Sequence, residues 1–169
     1  MDRRILASVS LAAALFAAPA IADEAANVRT VKDYVAAWNA HSVDEAAGYF
    51  AEGVVYYDAS VGEPVEGKAA AATQVVANFI NAAPDLNWEM LGDPVAQGDM
   101  VAFQWRFSGT NTGPWADGTE ASGKPFLILG ASFFSVRDRR IQTQSDYYDA
   151  LGFFEQLGWI GDGKAVAAE

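Results

Sequence analysis

The 169 residues contain no cysteine and one histidine, His41. Thiol catalysis, disulfides, cysteine–zinc sites and any site needing two imidazoles are therefore excluded. Two acids lie in strand-like runs: Asp58, which ends Val54-Val55-Tyr56-Tyr57-Asp58, and Asp146, near the end of Ile141 to Tyr148. In a dry pocket an aspartate has its pKa raised by desolvation, so it can take a proton from a carbon beside a carbonyl and return it elsewhere. Each acid also has a structural reading. Asp58 can cap the turn that begins at Ala59, and Asp146 can be a satisfied strand-end carboxylate.

The elements that must hold these acids follow from periodicity. Val28, Val31, Tyr34, Val35 and Trp38 recur at three- and four-residue spacing, which predicts an amphipathic helix over Ala25–Ala40 with Tyr34 pointing inward. Ser42-Val43-Asp44-Glu45 has the form of a capping box and starts a second helix running to about Phe50. His41, just before that cap, reads as a helix-junction residue. Val54 to Asp58 reads as a strand with Val54, Tyr56 and Asp58 on one face. A turn-rich segment from Ala59 to Gly67 leads into a third helix, Lys68 to about Ala82, closed by Pro84. Period-two patterns then predict four strands, Leu86–Val95, Met100–Gly109, Phe126–Val136 and Ile141–Tyr148. The long connection Gly109–Lys124, with Trp115 in its middle, reads as a pocket rim. A short helix, Ala150–Leu157, follows, with Asp149 as its cap. Helices first and a strand meander afterwards make an α+β domain.

Whether Asp146 shares a face with Ser132 depends on the last hairpin. A three-residue loop Arg137-Asp138-Arg139 pairs Val136 with Arg140, so that Ser132 faces Gln144 and Gly130 faces Asp146, with both Ser132 and Asp146 on one face. That loop needs a left-handed residue at Arg139, costing about 1–2 kcal/mol. A two-residue loop would send Asp146 to the opposite face.

Eleven basic residues against 22 acidic ones leave a net charge of −11 with no basic run. A nucleic-acid role lacks its electrostatic footprint, and an anionic membrane surface is an equally poor partner. Residues 1–22 carry their own pattern: Arg3-Arg4, an apolar run from Ile5 to Ala18, then Pro19 and Ala20-Ile21-Ala22. This reads as a secretory signal peptide cleaved after Ala22, too short in its apolar part to span a bilayer, and places the mature chain in the periplasm or outside the cell. The organisation expected is a leader at 1–22, one domain over 23–160 and a disordered tail at 161–169. No metal or nucleotide signature is present, and neither a metal nor a cofactor is expected.

The stretch Val31-Lys32-Asp33-Tyr34-Val35-Ala36-Ala37-Trp38-Asn39-Ala40 resembles the first helix of ketosteroid isomerases. Asp58-Ala59-Ser60-Val61-Gly62-Glu63-Pro64-Val65-Glu66-Gly67 resembles the segment that carries their catalytic base. The C-terminal half, through Gly109-Thr110-Asn111-Thr112-Gly113-Pro114-Trp115, Ser122-Gly123-Lys124 and Asp149 to Gly158, is similar to SnoaL-like polyketide cyclases, with Asn111 where those enzymes often carry histidine. Asp146-Tyr147-Tyr148-Asp149 also resembles the end of limonene-epoxide hydrolases, but Arg106-Phe107-Ser108 matches their Arg-x-Asp partner poorly.

The resemblance covers roughly residues 28–160. It implies an NTF2-like cone, about three N-terminal helices on a curved, mostly antiparallel sheet with a short C-terminal helix, and a homodimer. It implies Asp58 as the proton-transferring base and Tyr34 as the oxyanion donor, which a tyrosine hydroxyl can be; Tyr34 alone is equally a packed core tyrosine. Ser132 stands where ketosteroid isomerases carry a second, protonated acid. Asp146 is the third expected catalytic residue. Trp38, Tyr56, Trp105, Trp115, Ser132 and Phe134 are the expected substrate-binding residues, with Phe103 a further candidate wall. Aromatic walls with few polar groups suit a small, apolar molecule. The expected activity is cofactor-free isomerisation, cyclisation or elimination on a small apolar carbonyl compound. The alternative is a non-catalytic periplasmic binder of a small hydrophobic ligand.

Overall fold

The computed structural model describes residues 23–161. The leader at 1–22 and all but Gly161 of the expected tail lie outside the described residues. The first helix, α1 (Glu24–Asn39), begins where the Asp23 carboxylate accepts from the Ala26 amide, and its stripe buries Val31, Tyr34, Val35 and Trp38. His41 adopts positive φ and turns the chain. Ser42 then caps α2 (Val43–Gly48) by accepting from the Glu45 amide at 3.3 Å. This is half of the reciprocal capping arrangement that the sequence predicts.

Strand β1 (Phe50–Asp58) buries Val54, Tyr56 and Asp58 together. It pairs with β2 (Pro64–Glu66), a three-residue strand inside the segment expected to be turn only. The expected third helix is a continuous run with an irregularity: α3 (Lys68–Ala71), a π-helical turn (Ala72–Val76) and α4 (Ala77–Ala82). Strands β3 (Asn87–Gln97), β4 (Met100–Thr110), β5 (Pro125–Arg137) and β6 (Arg140–Tyr148) follow. The last helix is α5 (Ala150–Leu157), whose cap Asp149 accepts from the Gly152 amide at 2.9 Å.

The six strands form one sheet in the order β2-β1-β6-β5-β4-β3. Every neighbouring pair is antiparallel except β1 with β6, which run parallel. Strand β1 thereby lies beside the last strand, and Asp58 becomes the register partner of Asp146.

The last hairpin corrects the expected register. Arg137 pairs with Arg140, so the loop has two residues, Asp138 and Arg139, both at positive φ. Such a loop alone would turn Asp146 away from Ser132. However, Val136 pairs with Ile141 while Ser135 pairs with Thr143, which leaves Gln142 as the extra residue of a β-bulge. The bulge restores the parity. Ser132 then faces Asp146 directly and Phe134 faces Gln144, two residues along from the expected pairing.

Alternation builds the core. Val101, Phe103, Trp105 and Phe107 of β4 and Phe126, Ile128, Ser132 and Phe134 of β5 are buried on the inner face under α1 and the α3–α4 run. The β5 alternates Leu127, Leu129 and Phe133 are exposed on the outer face. Gly130 is the register partner of Trp105, and a Cβ built there would lie 2.4 Å from the indole ring. The glycine therefore makes the space that Trp105 fills. Among the described residues no helix is long and apolar enough to cross a membrane.

Candidate active site

The inner face of β1, β5 and β6 brings two carboxylates together. Asp58 is 4% exposed and Asp146 5% exposed, so neither has the water shell that an ionised carboxylate needs. Protein donors replace part of it. Asp146 Oδ1 accepts from Ser132 Oγ at 2.5 Å, and Oδ2 accepts from the Tyr56 hydroxyl at 2.7 Å and from Gln144 Nε2 at 2.9 Å. Ser132 Oγ itself accepts from Trp105 Nε1 at 2.7 Å. Asp58 Oδ1 accepts three bonds: from the Ser60 hydroxyl at 2.6 Å, the Ser60 amide at 2.8 Å and the Tyr148 hydroxyl at 2.8 Å. Asp58 Oδ2 takes none among the described residues.

These surroundings push both acids towards the protonated form. Burial raises the Asp146 pKa, the neighbouring Asp58 charge raises it further, and the donors from Ser132, Tyr56 and Gln144 oppose; it is pushed up to about 7. Asp58 is also raised by burial, against the bonds from Ser60 and Tyr148. Tyr148, Tyr56 and Tyr34 are held above the usual phenol value, chiefly by burial and next by the acid charges. The tyrosines therefore stay neutral, while Asp146 can exchange a proton near neutral pH and Asp58 holds its proton to higher pH than a free aspartate does.

Both acids border a cavity of about 30 Å³, whose walls are Trp38, Tyr56, Phe79, Trp88, Trp105, Phe107, Ile128 and Tyr148. Seven of those eight are aromatic. No Lys, Arg or His lines the cavity among the described residues, so the acids face each other without a counter-charge. No group of three or more histidine, aspartate or glutamate side chains gathers as a metal site would, again among the described residues.

Of the residues expected at the site, Asp58, Asp146, Trp38, Tyr56 and Trp105 border this cavity together. Ser132 lies one bond behind it, on Asp146. Tyr34 is fully buried in an aromatic cluster with Trp38, Tyr49, Phe50, Trp88 and Phe134, off the cavity wall, and its hydroxyl has no partner among the described residues. Phe134 is core as well and stacks on Phe103 with centroids 5.7 Å apart. Trp115 borders a separate outer cleft.

Trp88, Phe79, Phe107, Ile128 and Tyr148 are wall residues that the sequence reading leaves out. Tyr148 carried a usable signal, since it stands two residues from Asp146 and thus on the same strand face. Phe107 stands in the same relation to Trp105.

Asn111 is fully buried and serves the loop that carries Trp115. Its Nδ2 donates to the Ala82 and Gly113 carbonyls at 2.9 and 2.8 Å, and its Oδ1 accepts from the Ser122 amide at 2.8 Å. All its amide atoms are thereby engaged in holding backbone. Arg106 lies on the outer face and pairs with Glu89, remote from the acids, so it does not complete an epoxide-opening set.

A curved six-stranded sheet with helices across its inner face and acids at its centre is an NTF2-like cone. The chain belongs to the SnoaL-like polyketide cyclase family, whose family model matches residues 28–157. Solved structures share the fold. AclR of Streptomyces galilaeus is 21% identical with a TM-score of 0.69, over 85% of this chain and 88% of that one. A SnoaL-like protein of Jannaschia sp. CCS1 is 20% identical with a TM-score of 0.69, over 86% and 99%. An LEH-like epoxide hydrolase of M. tuberculosis is 18% identical with a TM-score of 0.61, over 81% and 92%. Likeness at these identities concerns the fold, which hosts unrelated activities. No curated protein matches the chain.

Proposed function

We propose that the chain is an exported, cofactor-free acid/base enzyme of the isomerase, cyclase or lyase type, acting on a small apolar carbonyl compound. The observation that carries this reading is the pair of buried carboxylates, with no counter-charge among the described wall residues, facing one aromatic cavity. Asp58 is the base: Oδ1 is anchored by Ser60 and Tyr148, which leaves Oδ2 for the substrate proton. Asp146, raised to about 7, is the acid that returns a proton or meets the developing enolate oxygen. Tyr56 and Ser132 hold Asp146 in place.

The test is hydrogen–deuterium exchange at the α-carbon of a panel of cyclic ketones and enones, read by mass spectrometry, for the mature chain and its Asp58→Asn variant. Exchange by the wild type that disappears in the variant is the expected result. Absence of exchange across the panel overturns the catalytic reading.

A second reading has its own observation. Tyr34 lies off the cavity wall, and Ser132 spends its proton on Asp146. Two groups that the family resemblance assigns to oxyanion stabilisation are thus not free at the cavity, which favours a binding protein for a small hydrophobic ligand. A ligand retained in native mass spectrometry without turnover supports it. Under either reading we propose a homodimer through the outer sheet face, where Leu127, Leu129, Phe133 and Tyr147 are exposed.

A further inference from the structure

Gln144 is fully buried on the inner face of β6, between Tyr56, its register partner on β1, and Asp146, two residues along its own strand. Its Nε2 lies 2.8 Å from the Tyr56 oxygen and 2.9 Å from Asp146 Oδ2, and Tyr56 donates to the same Oδ2 at 2.7 Å. Three distances so nearly equal make a closed triangle. Its corner at Nε2 is narrower than the spread of two amide hydrogens, so one N–H is shared between Tyr56 and Asp146 and the other points elsewhere.

Two polar atoms next to this triangle are left over. Gln144 Oε1 and the Tyr34 hydroxyl are both buried and both without a partner among the described residues. Each orphaned group costs free energy. Burial and then the Asp146 charge raise the Tyr34 pKa, while the polar hydrogens of Trp38, Tyr56 and Gln144 oppose. The Tyr34 hydroxyl thus stands beside the triangle without closing a bond to it.

The donors fit only one state of Asp146. As a carboxylate it accepts from Ser132 at Oδ1 and from Tyr56 and Gln144 at Oδ2. A proton on Oδ1 would turn the Ser132 hydrogen away from the only acceptor that it has among the described residues. A proton on Oδ2 faces two donors, and Tyr56 can rotate away only if its own hydrogen finds a new acceptor. Turning the Gln144 amide over supplies one. The oxygen and nitrogen of a carboxamide are nearly equal in size, so the turn puts Oε1 where Nε2 stood, within bonding distance of Tyr56 and of Oδ2. The same turn carries Nε2 to the side of the Tyr34 hydroxyl, whose oxygen can accept. Both orphans are then paired.

We propose that Gln144 is a positioning residue for Asp146: its amide presents Nε2 to the carboxylate and turns over to present Oε1 to the carboxylic acid, with the Tyr34 hydroxyl holding the turned form. Asp146 then gains or loses its proton without leaving two donors opposed. This role rests on the reading of Asp146 as the acid that exchanges a proton. The groups that titrate around it are Asp58 and Tyr56 of β1, Tyr34 of α1 and Tyr148 of β6; Ser132 and Trp105 complete the surroundings, and no Lys, Arg or His lines the cavity among the described residues. The tyrosines keep their protons through neutral pH, so a change there belongs to the acids.

The test follows the side-chain amide signals of Gln144 in the 15N-labelled mature chain from about pH 5 to about pH 9, with the Asp146 carboxyl carbon read in parallel. The expected result is nuclear Overhauser contacts from the amide hydrogens to Tyr34 at the acid end and to Tyr56 at the alkaline end, changing over at the Asp146 midpoint. The changeover persists in Asp58→Asn and is lost in Asp146→Asn. Tyr34→Phe keeps the ring and removes the support of the turned form, so the Asp146 midpoint falls by on the order of half a unit, with the backbone amide signals in native positions as the check on folding. Amide contacts that stay with Tyr56 while Asp146 titrates overturn the proposal and leave the acid. A midpoint that is unchanged or higher in Tyr34→Phe does the same. An Asp146 carboxyl that does not titrate in this range overturns the acid reading, and this proposal with it.

Discussion

Asp58 and Asp146 are register partners across the parallel β1–β6 pair, so their backbones are a strand spacing, about 4.8 Å, apart. Two acids this close in a dry site titrate as a unit: ionising the first makes the second harder to ionise. The site thus holds a proton near neutral pH that an isolated aspartate would have released.

That proton makes stability depend on pH with a sign opposite to the common acid case. The folded Asp146 binds its proton up to about pH 7, whereas an unfolded aspartate loses it near about 4. Between those values the folded state holds more protons, so stability falls as pH rises and levels off above about 7. Asp58 adds a slope of the same sign. Urea unfolding midpoints should therefore decline from about pH 5 to about pH 8, and Asp146→Asn should flatten the decline.

Ser132 serves two neighbours, donating to Asp146 and accepting from Trp105. Ser132→Ala leaves a buried indole N–H unpaired and removes one donor from the carboxylate. A loss of about 1–3 kcal/mol is expected. Denaturant unfolding above pH 7 is the measurement, and an unchanged midpoint would contradict the network.

Gly130 tests whether Trp105 is held by shape. Its missing side chain leaves the indole its place, since a Cβ would stand 2.4 Å from the ring and 2.7 Å from the Tyr147 carbonyl. Gly130→Ala should cost about 1–3 kcal/mol by overpacking and move Trp105 off Ser132. The near-ultraviolet circular dichroism of the aromatic cluster reports the second effect.

Tyr148 holds Asp58 in its ionised form through a 2.8 Å bond. With Tyr148→Phe that stabilisation goes, and the Asp58 pKa rises further. The acid limb of the α-exchange pH profile should move up by on the order of one unit. A profile that stays in place would mean that Asp58 is not the base.

The outer face carries Leu127, Leu129 and Phe133 at alternate positions of β5, with Tyr147 on the neighbouring strand. The mature chain is expected to sediment as a dimer at micromolar concentration. Leu129→Lys should yield monomers with an unchanged far-ultraviolet spectrum.

Most of the architecture was legible because caps and periods are local. Ser42 and Asp149 mark helix starts, and alternation along Val101, Phe103, Trp105 and Phe107 marks a buried strand face. Features that depend on partners were not. Strand β2 contains Pro64 and ends beside Gly67, so its composition is that of a turn, and only pairing with β1 makes it a strand. The π turn in the third helix leaves no mark in apolar spacing. At the site, residue type and family resemblance pointed to both acids, and strand alternation indicated which face a side chain takes. Neither indicates depth. Tyr34 and Phe134 share the inner side with Trp38 and Trp105, yet they pack behind the cavity, while Trp88 and Phe79 reach it.

The extra residue Gln142 makes the distance along the chain from Ser132 to Asp146, fourteen positions, a quantity that is counted rather than measured. A two-residue turn joins positions whose separation is odd, and the bulge converts odd to even. Insertions or deletions of two residues in this hairpin can lengthen or shorten it and keep the acid facing inward. A change of one residue that the turn does not absorb exports the carboxylate to the outer face and draws Tyr147 or Ser145 inward. The chemistry at the centre of the molecule thus depends, at a distance, on the parity of the residues that separate two inner-facing side chains.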